Sequence, residues 1–380
     1  MFIERSLNLP ELLAKKSHFL FGARGTGKTK LTEHSFLKAD ALALNLLNDD
    51  IYSRLLRRPA LIEELIGPAE LVIVDEIQRL PNLLNEVHRL IESKNVRFLL
   101  TGSSARKLKR GGANLLGGRA WECKLLPLTS FELKEHFHLE RYLSHGGLPA
   151  IYFSHYPQDE LKNYLSLYLK EEVAGEALVR KIDHFARFLD TAALSSGKEI
   201  NFEQIGSDAG VPPRTVASYF EILEDTLIGF QVRPFSKTKK RKAVSRSKFY
   251  LFDVGVAGAM AKRGPVVEGS EAFGNAFEHF IAQELRAYLS YTESDSELMY
   301  WRTTSQHEVD FIVGDQCAIE VKSAERVSER HLSGLKTLME EGKVKKYLLV
   351  SRDPLKRTEK NIEIVPWKDF LQLLWERKLF

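Results

Sequence analysis

"SHFLFGARGTGKTKL", residues 17–31, constrains this chain more than any other stretch. An apolar run passes into a glycine-rich turn and then into a helix-forming segment. Gly22, Gly27, Lys28 and Thr29 fit G-x-x-x-x-G-K-[ST] without a mismatch. The pattern makes physical sense only in a strand–loop–helix unit, where glycines let backbone N–H groups curl round a phosphate and the helix start adds its positive end. In this reading Gly22, Gly25 and Gly27 shape the turn. Lys28 reaches the β- and γ-phosphates of ATP, and Thr29 ligates magnesium.

"LVIVDEIQRL", residues 71–80, supplies the second half of such a site. A continuous apolar run is what a parallel strand covered on both faces requires. Carboxylates at its carboxyl end stand where open α/β sheets bind ligands. Asp75 would hold the magnesium through water, and Glu76 would orient and deprotonate the attacking water. "ALALNLL" from 41, "RFLLTGSS" from 97 and "AWECKLLPL" from 120 repeat the strand rhythm with helical patterns between them, predicting a five-stranded α/β sheet. Thr101, at a strand end, would sense the γ-phosphate, with Ser103 as its neighbour in that role; a threonine there equally suits a helix cap.

With 380 residues, the chain has room for two or three domains. The cysteine count of 2, Cys123 and Cys317, excludes a disulfide framework or a four-cysteine zinc site. "MFIERSLNLPELLAKKS" has no apolar core of a leader, and no run approaches the ~18 apolar residues needed to cross a bilayer. A cytoplasmic protein without membrane contact is expected.

Residues 141–195 read as helical, a lid and linking bundle. "INFEQIGSDAGVPPRTVASYFEILEDTLIGFQVRPF" follows. Asn201 caps a first helix that ends at Gly210, Pro212-Pro213 turns the chain, and a second helix runs from about Thr215 to Asp225. That is helix-turn-helix spacing. Strand-like "IGFQVRPF" and "KFYLFD" flank "KTKKRKAVSRSK", residues 237–248, a basic block without an acid that would form the wing of a winged helix. In such a unit Arg214 and Ser218 face the major groove of DNA, while Lys239, Lys240, Arg241 and Lys242 contact its backbone. Because the second helix is poor in base-reading side chains, phosphate contact should dominate. A winged helix also serves as a protein-docking module.

"HEVDFIVGDQCAIEVKS", residues 307–323, reads as a hairpin turning at Gly314-Asp315-Gln316. Val313 then faces Cys317, Phe311 faces Ile319 and Val309 faces Val321 on one buried side. On the other side Asp310 lies opposite Glu320 and Glu308 opposite Lys322, with Cβ atoms about 5 Å apart. Glu308 and Lys322 make a cross-strand ion pair in that register. Asp310 and Glu320 repel, and a shared proton, a nearby cation such as Lys322, or a bound divalent metal would offset the repulsion.

Taken together, the phosphate-loop motif, "VDEIQRLPNLL", "LLTGSSARKL", "GGRAWECKLLPLTSFEL" and "YLSHGGLPAIY" resemble the bacterial and archaeal AAA-family ATPases that carry a C-terminal domain of unknown function. The resemblance covers nearly the whole chain. It implies assembly into a ring, usually a hexamer, in which an arginine of one subunit completes the site of the next; Arg119 is the candidate, with Arg106 behind it. "EVDFIV" and "AIEVKS", preceded by the helix "EAFGNAFEHFIAQELRAYLS", resemble the PD-(D/E)xK nuclease fold. There Asp310 and Glu320 would ligate a second divalent metal, Mg2+ or Mn2+, with the Val321 carbonyl. Glu278 would support the ligand set, and Lys322 would position the attacking water.

The expected fold class is α/β: an AAA+ parallel sheet over 1–140, a helical lid over 141–195, a winged helix over 196–262 and a restriction-endonuclease-like α/β domain over 263–380. The expected function is an ATP-hydrolysing protein that acts on DNA and couples that hydrolysis to a nuclease-like domain. A DNA translocase or junction-remodelling motor whose last domain only grips DNA, and a nucleotide switch that binds protein partners, are the alternatives.

Overall fold

The computed structural model describes residues 2–37, 41–103, 106, 108, 116–169, 182–238 and 241–380. Among them two compact units separate by their internal contacts. One lies within Met1–Pro127 together with Glu221–Ile228, the other within Leu128–Lys170, Arg180–Phe220 and Gly229–Phe380.

In the first unit the apolar runs become β1 (Ser17–Phe21), β2 (Ala41–Asn45), β3 (Leu71–Asp75), β4 (Arg97–Gly102) and β5 (Ala120–Lys124). They form the expected five-stranded parallel sheet, in the order β2-β3-β4-β1-β5. The alternation of a strand sends Phe19, Phe21, Val72, Val74, Phe98 and Leu100 into one buried cluster. Leu20, Ile73 and Leu99 between them are buried as well. Both faces are therefore covered, which is why these strands read as continuous apolar runs rather than alternating ones. The order sets β4 between β3 and β1, so the strand that ends at Thr101 runs beside both motif-bearing strands.

The second unit is organised on a nine-stranded mixed sheet of order β13-β14-β12-β11-β10-β9-β7-β8-β6. Its strands are β6 (Lys198–Glu199), β7 (Gly229–Pro234), β8 (Lys248–Leu251), β9 (Leu298–Arg302), β10 (Glu308–Val313), β11 (Cys317–Lys322), β12 (Lys346–Ser351), β13 (Arg357–Glu359) and β14 (Ile362–Pro366). Helices Phe202–Ala209 and Pro213–Asp225 stand where the helix-turn-helix spacing put them. The Asn201 side chain accepts from Glu203 and Gln204 N–H, and Gly210 closes the first helix at φ 63°, a left-handed value that glycine adopts without penalty. β7 and β8 pair antiparallel across the basic segment. β7 also pairs parallel with β9, so the strands of 196–262 and those of 263–380 share one sheet.

The hairpin turns at Gly314, with Phe311 opposite Ile319 and Val313 opposite Cys317 as expected. Its far end departs from simple alternation. The pairing of β10 with β9 shifts between Val309 and Ile312, a bulge that takes in Asp310 and Phe311. Val309 and Ile312, three residues apart, accordingly pack into the same core cluster, which a regular strand cannot do. Val309 therefore does not share a face with Phe311 and Val313, contrary to the sequence reading. Helix Ser333–Met339 crosses so close that a Cβ on Gly334 would lie 1.9 Å from the Glu308 carbonyl oxygen. Helix Glu271–Tyr291 buries Phe273, Phe277, Ile281 and Leu285. No helix among the described residues is long and apolar enough to cross a membrane.

Candidate functional site

The phosphate loop joins β1 to helix Lys28–Ser35. Gly25 and Gly27 take φ of 81° and 97°, the left-handed region where a side chain would be strained. Gly22 is required for a different reason: a Cβ there would meet Leu125 O at 2.6 Å and Thr26 Oγ1 at 2.9 Å. Gly27 has no side chain with which to cap the helix, so it accepts nothing through a side chain from the donors of the first turn. Lys28 is buried and its Nζ donates to Gly22 O at 2.7 Å and Ala23 O at 3.4 Å. Thr29 is exposed. Arg5, which no sequence motif singles out, donates to Thr26 O at 2.8 Å and Leu126 O at 2.6 Å, tying the loop to the chain beyond β5.

The acids follow β3. Thr101 Oγ1 donates to Asp75 Oδ1 and accepts from Glu76 N at 3.4 Å, so the threonine bridges both. Glu76 stands at φ 60°, a left-handed conformation unusual for a glutamate. Gln78 Nε2 donates to the Glu76 carboxylate and to Ser103 Oγ, the latter at 3.3 Å. Gln78 too was missed, because a glutamine two residues past a motif carries no distinguishing signal. A loop of glycines, an uncapped helix start, a buried lysine and an exposed hydroxyl fit a magnesium nucleotide. Arg119 donates to Glu92 at 2.7 Å through Nε, and Arg106 pairs with Asp225.

The second constellation belongs to the larger unit. The bulge in β10 lets Asp310 Oδ2 accept from Val321 N at 2.8 Å, a side chain standing in for a ladder carbonyl. Lys322 Nζ lies 2.6 Å from Glu320 and 3.6 Å from Asp310, so both acids converge on its side of the sheet. Glu308 does not pair with Lys322 as the simple register implied. It pairs with Lys248 Nζ at 2.5 Å and with Arg302 at 3.5 Å, because the bulge and the neighbouring β8 bring a different cation to it. Lys248 also reaches Glu278 at 3.4 Å and Asp310 at 3.9 Å, and Tyr250 Oη donates to Glu278 at 2.6 Å. Glu278 is thus held by Lys248 and Tyr250.

Burial dominates the electrostatics here. Glu320 is pushed up to about 8 by burial and by the adjacent Asp310, against the pull of Lys322. Burial likewise raises Glu278, with Lys248 opposing. For Lys322 burial works against the charge, yet Asp310 and Glu320 hold it above its ordinary range. Glu320 Oε2 is buried with no hydrogen-bond partner. Among the described residues no group of three or more His, Cys, Asp or Glu is gathered as an ion cage. What remains is a two-carboxylate set, Asp310 and Glu320, with one orphaned buried oxygen. Sequence reasoning missed Lys248, counted with the exposed basic block, and Tyr250; only their position on β8 beside the site distinguishes them.

On the helix-turn-helix, Arg214 and Ser218 are exposed one turn apart, and Ser218 Oγ donates to Arg214 O at 3.3 Å. Arg241 pairs with Glu340 at 2.6 Å and Glu341 at 3.7 Å. Lys242 is exposed, and Lys239 and Lys240 lie outside the described residues.

Residues 14–134 match the family model "AAA domain". Two domains of unknown function match at 136–266 (DUF8612) and 273–370 (DUF4143). An uncharacterised protein of Mycobacterium tuberculosis is 26% identical over 302 residues, 77% of this chain and 66% of that protein, so the chain spans just under two thirds of its length. One from Methanocaldococcus jannaschii is 22% identical over 404 residues, 97% of this chain and 85% of that protein. Among solved structures, a Walker-type ATPase of Pyrococcus abyssi is 15% identical over 68% of this chain and 96% of that one, with a TM-score of 0.45. By its motifs, its sheet and its matched model, the amino-terminal region is an AAA-family P-loop ATPase domain, carried in a chain with further domains.

Proposed function

We propose that the chain hydrolyses ATP to act on DNA, and that its carboxyl-terminal unit hydrolyses phosphodiester bonds with the help of a divalent metal. At the nucleotide, Gly22, Gly25, Gly27 and Lys28 hold the phosphates and Glu76 takes the proton of the attacking water, with Thr101 reporting the γ-phosphate. Thr29 and Asp75 would hold a magnesium ion, whose charge offsets that of the β- and γ-phosphates. In a ring, Arg119 of one subunit would leave Glu92 for the nucleotide of the next. Arg214 and Ser218 would meet the groove, with Lys239, Lys240, Arg241 and Lys242 along the phosphates.

One observation carries the nuclease half: Asp310, Glu320 and Lys322 converge, and the buried Glu320 Oε2 has no hydrogen-bond partner. A buried polar atom left unsatisfied is costly, so its persistence points to a ligand. Asp310, Glu320 and the Val321 carbonyl would hold Mg2+ or Mn2+, which polarises the scissile phosphate when bound. Lys322 would orient the attacking water.

A second reading has the unit grip DNA without cutting. The pairing of Lys248 and Lys322 with the acids favours it, since the cluster is largely charge-balanced by the chain itself. Incubation with plasmid, junction and single-stranded DNA plus Mn2+ separates the two. Cleavage that Asp310→Ala and Lys322→Ala both abolish supports the nuclease. Intact DNA in every lane, with salt-sensitive stimulation of ATP turnover, supports the grip.

A further inference from the structure

The two lysines of the carboxyl-terminal cluster do different work. Lys322 sits beside Glu320 and Asp310, with its side chain 34% exposed. Lys248 is 3% exposed, and its ammonium stands among Glu308 at 2.5 Å, Glu278 at 3.4 Å and Asp310 at 3.9 Å. Asp310 divides its oxygens accordingly: Oδ1 turns to Lys248, while Oδ2 takes the Val321 N–H and faces Lys322. Glu278 gives one oxygen, Oε1, to both Lys248 and Tyr250.

An ammonium is a compact cation on a flexible stem, and hard carboxylate oxygens are what it and a divalent ion both seek. A second ion bridging Asp310 to Glu278 would have to displace a lysine that is already buried among its partners. On the other side the situation is reversed. Glu320 is 7% exposed, and its buried Oε2 has no hydrogen-bond partner, while Oε1 meets Lys322.

Building on the metal-dependent reading above, we propose that the Lys248 ammonium fills the place of a second divalent cation, so that the cluster takes one metal ion only, at Asp310 and Glu320. Glu278 is then a positioning residue for Lys248 and Tyr250 rather than a metal ligand.

Calorimetric titration of the nucleotide-free full chain with Mn2+ tests this through stoichiometry, independently of DNA cleavage. One ion per wild-type chain is expected, two for Lys248→Met, and none for Asp310→Asn. Glu278→Gln should keep one ion with an affinity close to wild type. Two ions in the wild type, or a single ion in folded Lys248→Met, would overturn the inference and leave the metal reading standing. So would a weakening of about tenfold or more in Glu278→Gln, the size expected when direct support of a ligand is lost. Should Lys248→Met not fold, the Glu278→Gln result decides alone. No ion in the wild type would overturn the metal reading, and this inference with it.

Discussion

The two units hold charge by opposite means. In the first, the phosphate loop presents backbone N–H groups and a helix start, with Lys28 resting on the Gly22 and Ala23 carbonyls. In the second, Lys248 and Lys322 stand among Glu278, Glu308, Asp310 and Glu320 within a buried sheet. Backbone dipoles stay oriented whichever side chain is removed. Ionised side chains in a low-dielectric interior depend on one another, so removing one strands the rest. The first arrangement separates function from stability, and the second couples them.

That contrast can be broken by substitution. Lys248→Met should destabilise the second unit by about 3–5 kcal/mol, the cost of leaving buried carboxylates without their cation. Urea unfolding followed by the tryptophan signal reads this out, and an unchanged midpoint would show that the cluster is not ionically interdependent. Lys28→Ala should cut ATP turnover at least about a hundredfold, because the lost contact is made to the transferring phosphate. The same variant should unfold within about 1 kcal/mol of wild type, since the bonds it removes include those to the Gly22 and Ala23 carbonyls, each of modest net worth. A loss of stability without a loss of turnover would invert the comparison.

Glu284 sharpens it, as a buried acid with no ion-pair partner among the described residues. Its carboxylate accepts from Ser130 N at 2.7 Å and Trp375 Nε1 at 2.8 Å, and burial pushes it up to about 7. Between the ordinary glutamate range and pH 7 the folded chain keeps a proton that the unfolded chain has released. The Glu284 contribution to stability should therefore fall as pH rises through that window, by on the order of 1 kcal/mol per pH unit, and level off above it. Urea unfolding of wild type and Glu284→Gln at pH 5, 6 and 7 checks this. The difference between the two profiles isolates Glu284, because Asp253 and Glu320, raised by burial to about 6 and about 8, and His279, lowered by burial to about 3, titrate in both chains.

Much of the scaffold was legible in the chain. The glycines of the loop, the apolar strands of a doubly covered sheet, the Asn201 cap and the Gly210 stop each express a local backbone need, and each stands where expected. The hairpin was legible as far as Phe311 and Ile319. Beyond them the bulge at Asp310 redirects the strand, with Val309 and Ile312 packed in one cluster and Gly334 of helix Ser333–Met339 close against Glu308. Arg5, Gln78, Lys248 and Tyr250 were not legible, since nothing near them in the sequence sets them apart from ordinary polar residues.

By itself, then, the sequence determined the phosphate loop, the parallel sheet behind it and the acid-bearing hairpin. Those depend on φ angles and on period-two burial, properties of a few consecutive residues. Which cation each carboxylate faces was decided only by the tertiary structure. Coulomb interactions follow distance and burial, and β8, β10, β11 and helix Glu271–Tyr291 acquire both only once the nine-stranded sheet has brought them together.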